Sequence, residues 1–138
     1  MAFSYYFCLM KYSQAIGILL SLLLIYSTTQ PLVIIDSKHW VITGWETGAS
    51  SFGQPGKFLV YFAILNILCF ALPYIFAKRT NIVIAALILA WSIRNYLILS
   101  TCYMGECPQK QWALYACIAL SAGILIMTFL PKINIDKK

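Results

Sequence analysis

The chain has 138 residues, 62% of them hydrophobic and 10% charged, with a formal net charge of +6. A soluble domain is about half apolar and about a quarter charged, and one this short cannot hide so much apolar surface, so the surplus is expected to face lipid. The positive balance does not imply nucleic acid, because the bases stand at the ends of apolar runs instead of sharing one polar face.

Residues 1–14, MAFSYYFCLMKYSQ, are aromatic and apolar with one base, Lys11. They suit the headgroup boundary or extend the first helix. A base ahead of an apolar run also fits a signal peptide. The run is too long for that and lacks a small-x-small site, so an uncleaved anchor is expected. A first membrane span is expected over about 15–35. Its second half holds Ser27, Thr28, Thr29, Gln30 and Pro31. That composition predicts a kink near the membrane surface or the wall of a small polar cavity.

Residues 36–57 form a long connection with Gly44, Gly48, Gly53, Pro55 and Gly56, punctuated by Trp40, Trp45 and Phe52. His39 to Trp45 has strand character, and Gln54-Pro55-Gly56 predicts a tight turn. The connection reads either as a cap over the helix ends or as a functional loop. A second span is expected over about 58–77, with Asn66 near its middle and Pro73 near its end. A buried amide there bonds to another helix or to a ligand. Lys78 to Asn81 then reads as the short connection of an antiparallel helical hairpin. A third span is expected over about 82–100, a second loop over 101–111 and a fourth span over about 112–130. In the fourth, Ala119, Ser121, Ala122 and Gly123 permit close helix packing, and Pro131 ends it before a polar tail.

The expectation is thus an all-α integral membrane protein: a single domain over 1–138, built as a four-transmembrane-helix antiparallel bundle with two outer loops forming a cap. The N-terminal segment, the hairpin connection and the tail carry Lys11, Lys78, Arg79, Lys132, Lys137 and Lys138 against Asp136. The two longer loops balance Lys38, Lys57 and Lys110 against Asp36, Glu46 and Glu106. The positive-inside rule therefore puts both termini in the cytoplasm, with a bacterial inner (plasma) membrane as the expected location.

Arg94 is the one charge inside an expected span, about 18 Å along it at 1.5 Å per residue. An intramembrane ionisable group is a functional hypothesis by default, and arginine keeps its charge. It needs an acid such as Glu46, Glu106 or Asp36, with Ser92, Asn95 and Asn66 at similar depth, or else an anionic ligand. The two readings are a structural ion pair and an anion or lipid-headgroup site.

Among five cysteines, Cys102 and Cys107 share the second loop as CYMGEC, with Gly105 allowing a turn. An oxidising outer face predicts a disulfide between them, while Cys8, Cys69 and Cys117 read as packed or free. A disulfide beside four membrane helices resembles the quinone-coupled thiol oxidases of the DsbB and vitamin K epoxide reductase type. That resemblance implies an electron relay through a C-x-x-C and a second cysteine pair. This chain has no C-x-x-C and no cysteine in its first outer loop, so the likeness covers architecture alone.

Two thiols without a nearby histidine do not make a zinc site. His39 lacks a spaced catalytic set, and no phosphate-binding, dinucleotide or metal motif is present, so no cofactor is implied. The leading expectation is a non-enzymatic subunit or accessory of a larger membrane assembly, with the bilayer and other membrane subunits as partners. The alternatives are a binder or transporter of an anionic lipid or small anion through Arg94, and a thiol-redox enzyme using Cys102 and Cys107.

Overall fold

The computed structural model describes residues 2–47, 53–72, 74–102 and 105–130, with side chains in the first helix described from residue 12 onward. Lys11, Cys8, Gly48, Phe52, Pro73, Pro131 and the tail bases, all used in the sequence reading, lie outside the residues or side chains so described. The described residues are mostly helical, 74% of them in four helices: α1 (Ala2–Thr29), α2 (Pro55–Ala71), α3 (Ile75–Ser100) and α4 (Trp112–Phe129). Of these, α1, α3 and α4 are long and apolar enough to cross a membrane. At 17 residues α2 is about 25 Å long, less than the roughly 30 Å hydrocarbon core.

The first expected span divides into two elements. α1 stops at Thr29, and Pro31–Ile35 is a strand, β1. Three hydroxyls at its end turn back on carbonyls of the preceding turn: Ser27 on Leu24 at 2.8 Å, Thr28 on Ile25 at 2.7 Å and Thr29 on Tyr26 at 2.7 Å. Such bonds compete with helix continuation. Pro31 biases Gln30 away from helical backbone, and the branched residues that follow favour extended chain. Pro31 thus ends the helix instead of kinking it.

The hairpin connection also moves. α2 ends at Ala71 and α3 begins at Ile75, so Lys78, Arg79, Thr80 and Asn81 lie within α3 and form no loop. Leu72 is extended (φ −84°, ψ 125°), the conformation expected of a residue that precedes a proline.

Strand β2 (Trp40–Thr43) pairs antiparallel with β1, and β3 (Gln109–Lys110) pairs with the other edge of β1, giving the order β2-β1-β3. The β1–β2 turn is a short 3-10 segment, Asp36–Lys38, closed by His39 in the left-handed region (φ 51°). A register shift between Pro31 and Val33 lets consecutive Leu32 and Val33 both be buried. Those two and Ile42 share one apolar cluster with Leu59, Ala113 and Leu114 of the helices. The helices close a ring: α1 lies against α2 and α4, and α3 against the same two.

One glycine pair joins α1, the sheet and α2. Gly44 N–H donates to the Thr28 carbonyl at 2.9 Å, and Gly56 N–H donates to the Gly44 carbonyl at 2.8 Å. The last carbonyls and first N–H groups of a helix have no partner within it, so Gly44 satisfies one of each on two helices. A Cβ at Gly44 would stand 2.6 Å from the Thr28 oxygen, and one at Gly56 would stand 2.6 Å from the Gly44 Cα. Neither neighbour is a side chain that can swing away. Gly56→Ala is therefore expected to cost about 1–3 kcal/mol, as overpacking does. Gly123→Ala, whose Cβ would meet only a Leu20 methyl at 3.3 Å, should cost less. Unfolding midpoints of the two variants in detergent check this.

Candidate functional site

The sheet end of the molecule gathers most of the residues singled out in the sequence, with partners other than those anticipated. Glu106 accepts a hydrogen bond from Ser37 Oγ at 2.6 Å, and Asp36 accepts one from Gln109 Nε2. Both bonds link the first connection to the second. Backbone pairing of β1 with β3 and the Gln111 N–H donating to the Leu32 carbonyl at 3.0 Å do the same. Cys102 and Cys107 form a disulfide within the second connection. Glu46 is exposed, and its backbone closes a turn with Thr43.

Three cations at this end, Lys38, Arg94 and Lys110, lie over rings and not beside acids. Lys38 lies 5.2 Å from the Trp40 ring centre and Lys110 5.4 Å from that of Tyr96. Arg94 lies 4.7 Å from the centre of the Trp91 ring, and it is exposed. Among the described residues neither Glu46, Glu106 nor Asp36 forms an ion pair with it. Such contacts are worth about 0.5–1 kcal/mol when exposed.

Trp91 is itself held in place. Its Nε1 donates to the Pro55 carbonyl at 3.3 Å, and the Phe58 ring centre is 4.7 Å away. Asn95, grouped with Arg94 in the sequence reading, is buried one residue along and donates from Nδ2 to the same Pro55 carbonyl at 3.3 Å. Asn95 thus ties α3 to the start of α2, while Arg94 points to the exterior. The sequence reading missed Trp91, although its position three residues before Arg94 places it beside that side chain on a helix.

Asn66 lies away from this end. It is fully buried, and its Nδ2 donates to Ser21 Oγ of α1 at 2.9 Å. Ser21 passes its own proton back to the Gly17 carbonyl at 2.8 Å. On the opposite pair of helices Ser121 Oγ donates to Ser92 Oγ at 3.0 Å. Cys117 Sγ lies 3.4 Å from Ser27 Oγ, between α4 and α1. These groups connect helices to one another. Asn66 Oδ1 and Asn81 Oδ1 are buried without a protein partner among the described residues.

Two measurements follow from these contacts. The double variant Cys102→Ser/Cys107→Ser is expected to lose about 2 kcal/mol by the loop-entropy estimate for so short a ring. Amide exchange should rise at Gln109–Lys110 and stay unchanged in the middle of α4. A double-mutant cycle over Ser21→Ala and Asn66→Ala should give a coupling near 0.6 kcal/mol, the mean for hydrogen bonds between membrane helices. A coupling of zero would mean that the two side chains do not bond.

No family model, curated protein or solved structure matches this chain, so no relative assigns a role to Arg94, to the disulfide or to the sheet.

Proposed function

We propose that this is a small non-enzymatic polytopic membrane protein that serves as a subunit or accessory of a larger membrane assembly. In this reading all four helices cross a bacterial inner membrane as an antiparallel bundle. α2 crosses as the shortest, since exposed Leu72 and Tyr74 continue its apolar surface beyond the helix end. Both termini are cytoplasmic, and the sheet caps the outer ends.

The observation that carries the proposal is the joining of both long connections into one pinned sheet. β2 forms one edge of that sheet, with Val41 half-exposed on it. An edge strand has unpaired backbone groups that another chain can meet. A domain that fastens its outer loops so firmly is suited to presenting a fixed surface to a partner. Purification of the full chain in mild detergent tests this. Co-purification of a stoichiometric membrane partner is expected, and a solitary monomer that also fails to dimerise overturns the proposal.

A second reading, a binder or carrier of an anionic headgroup or small anion, is favoured by one observation. Arg94 is exposed over Trp91 with no acid beside it among the described residues. Arg94→Ala is then expected to lose the anionic species, lipid and small anion alike, that accompany the wild-type protein, with an unchanged unfolding midpoint. If the variant does not accumulate at all, Arg94 is structural and this reading falls.

A further inference from the structure

The aromatic cluster at the sheet end of α2 and α3, with the Phe58 and Trp91 rings tilted at 48° to each other, is built in advance of any ligand. Trp91 is fixed on two sides, by its bond to the Pro55 carbonyl at 3.3 Å and by the Phe58 ring at 4.7 Å. Arg94 lies over the indole on the exterior of the helices, 4.7 Å from the ring centre. A guanidinium carries five N–H donors around its rim, and contact with a ring leaves them able to bond elsewhere. No acceptor for them lies among the described residues.

Arg94 stands six residues before the end of α3, about 9 Å along the helix axis. At 26 residues α3 is about 39 Å long, more than the roughly 30 Å core, so its ends reach the headgroup layers. The guanidinium therefore lies close to the boundary where lipid phosphates begin, and its stem can reach toward them. Tyr61 and Leu97, 64% and 58% exposed, follow Phe58 and Arg94 by about one turn and continue the apolar wall.

Charge selects the headgroup. Lys38, Lys57 and Lys110 balance Asp36, Glu46 and Glu106 in the two long connections, which leaves Arg94 as the surplus positive charge at this end. The geometry points to one occupant: an anionic glycerophospholipid of the leaflet on the sheet side. Its phosphate meets the rim of Arg94, and its glycerol lies against the Trp91 and Phe58 rings. This rests on the anion-site reading and gives it a ligand class. Because the Phe58–Trp91 pair spans α2 and α3, a bound lipid also fastens those two helices together.

The test uses the full chain in nanodiscs of mixed phosphatidylglycerol and phosphatidylcholine, with lipids that remain bound on release into detergent counted by native mass spectrometry. The wild type is expected to retain phosphatidylglycerol about tenfold over phosphatidylcholine, the scale of one charge-assisted bidentate contact. Arg94→Gln should abolish the preference. Trp91→Leu should reduce it about threefold, on the scale of a lost cation–π and packing contact.

If Arg94→Gln keeps the wild-type preference, both this inference and the anion-site reading fall. If Arg94→Gln loses it while Trp91→Leu keeps it, the aromatic shelf is wrong and the anion site stands. Displacement of the lipid by millimolar inorganic phosphate would show a site for free anions, overturning the lipid assignment alone. Should Arg94→Gln fail to fold, Arg94→Lys retains the charge without the planar fork. It is expected to lose most of the preference, and full retention would overturn the inference.

Discussion

The contact on which the sheet end depends is between two backbones that carry no side chains. Gly44 gives its N–H to the end of α1 and its carbonyl to the start of α2. A helix terminus inside an apolar protein must find partners for such groups or pay the cost of burying them bare. One residue, just past the end of β2, serves two termini, and the residue before Gly56 extends the sequence. The Pro55 carbonyl accepts from Trp91 and Asn95 of α3. α1, β2, α2 and α3 are thereby joined through a run of carbonyls within a few ångströms, and it is this run that places Trp91 where Arg94 can lie over it.

The rest of the molecule arranges polarity in the reverse of a water-soluble protein. Ser21, Asn66, Ser92 and Ser121 are buried, while Leu22, Tyr61, Leu97 and Phe129 are exposed. Between helices surrounded by lipid there is no gain from hiding apolar surface, so close packing and a few hydrogen bonds between helices hold them together. Phe70 fits over Gly17 so tightly that a Cβ there would lie 2.5 Å from the ring. Small residues, hydroxyls and the amides of Asn66 and Asn95 therefore carry a share of cohesion that larger apolar side chains carry in soluble cores.

Some of this was legible in the residues and some was not. The apolar runs located the helices, and Trp112–Phe129 lies within a residue of its expected bounds because Pro131 and a polar loop flank it. The pairing of Cys102 with Cys107 followed from their sharing one short loop. The first strand is hidden, since Leu32 to Ile35 are uniformly apolar, without the alternation that separates strand from helix. The sheet itself depends on β3, which is two residues long and has no local signature. Arg94 stands out in the sequence, and its charge points to an acid as its partner. Glu106 instead accepts from Ser37, a contact between residues far apart in sequence that no local pattern announces.

The central position of β1 sets an order for biosynthesis. β1 and β2 are adjacent in the chain and can pair as soon as the first connection is made. β3 lies beyond α2 and α3, so the second edge of β1 stays open until both have been synthesised and the second connection has returned to the sheet end of the bundle. The long separation between Val33 and Lys110 makes this closure the slowest kind of contact to form. Completion of the sheet is thus a topological checkpoint: a chain in which α3 ran the wrong way along the bundle would leave β3 at the far end and β1 with a vacant edge.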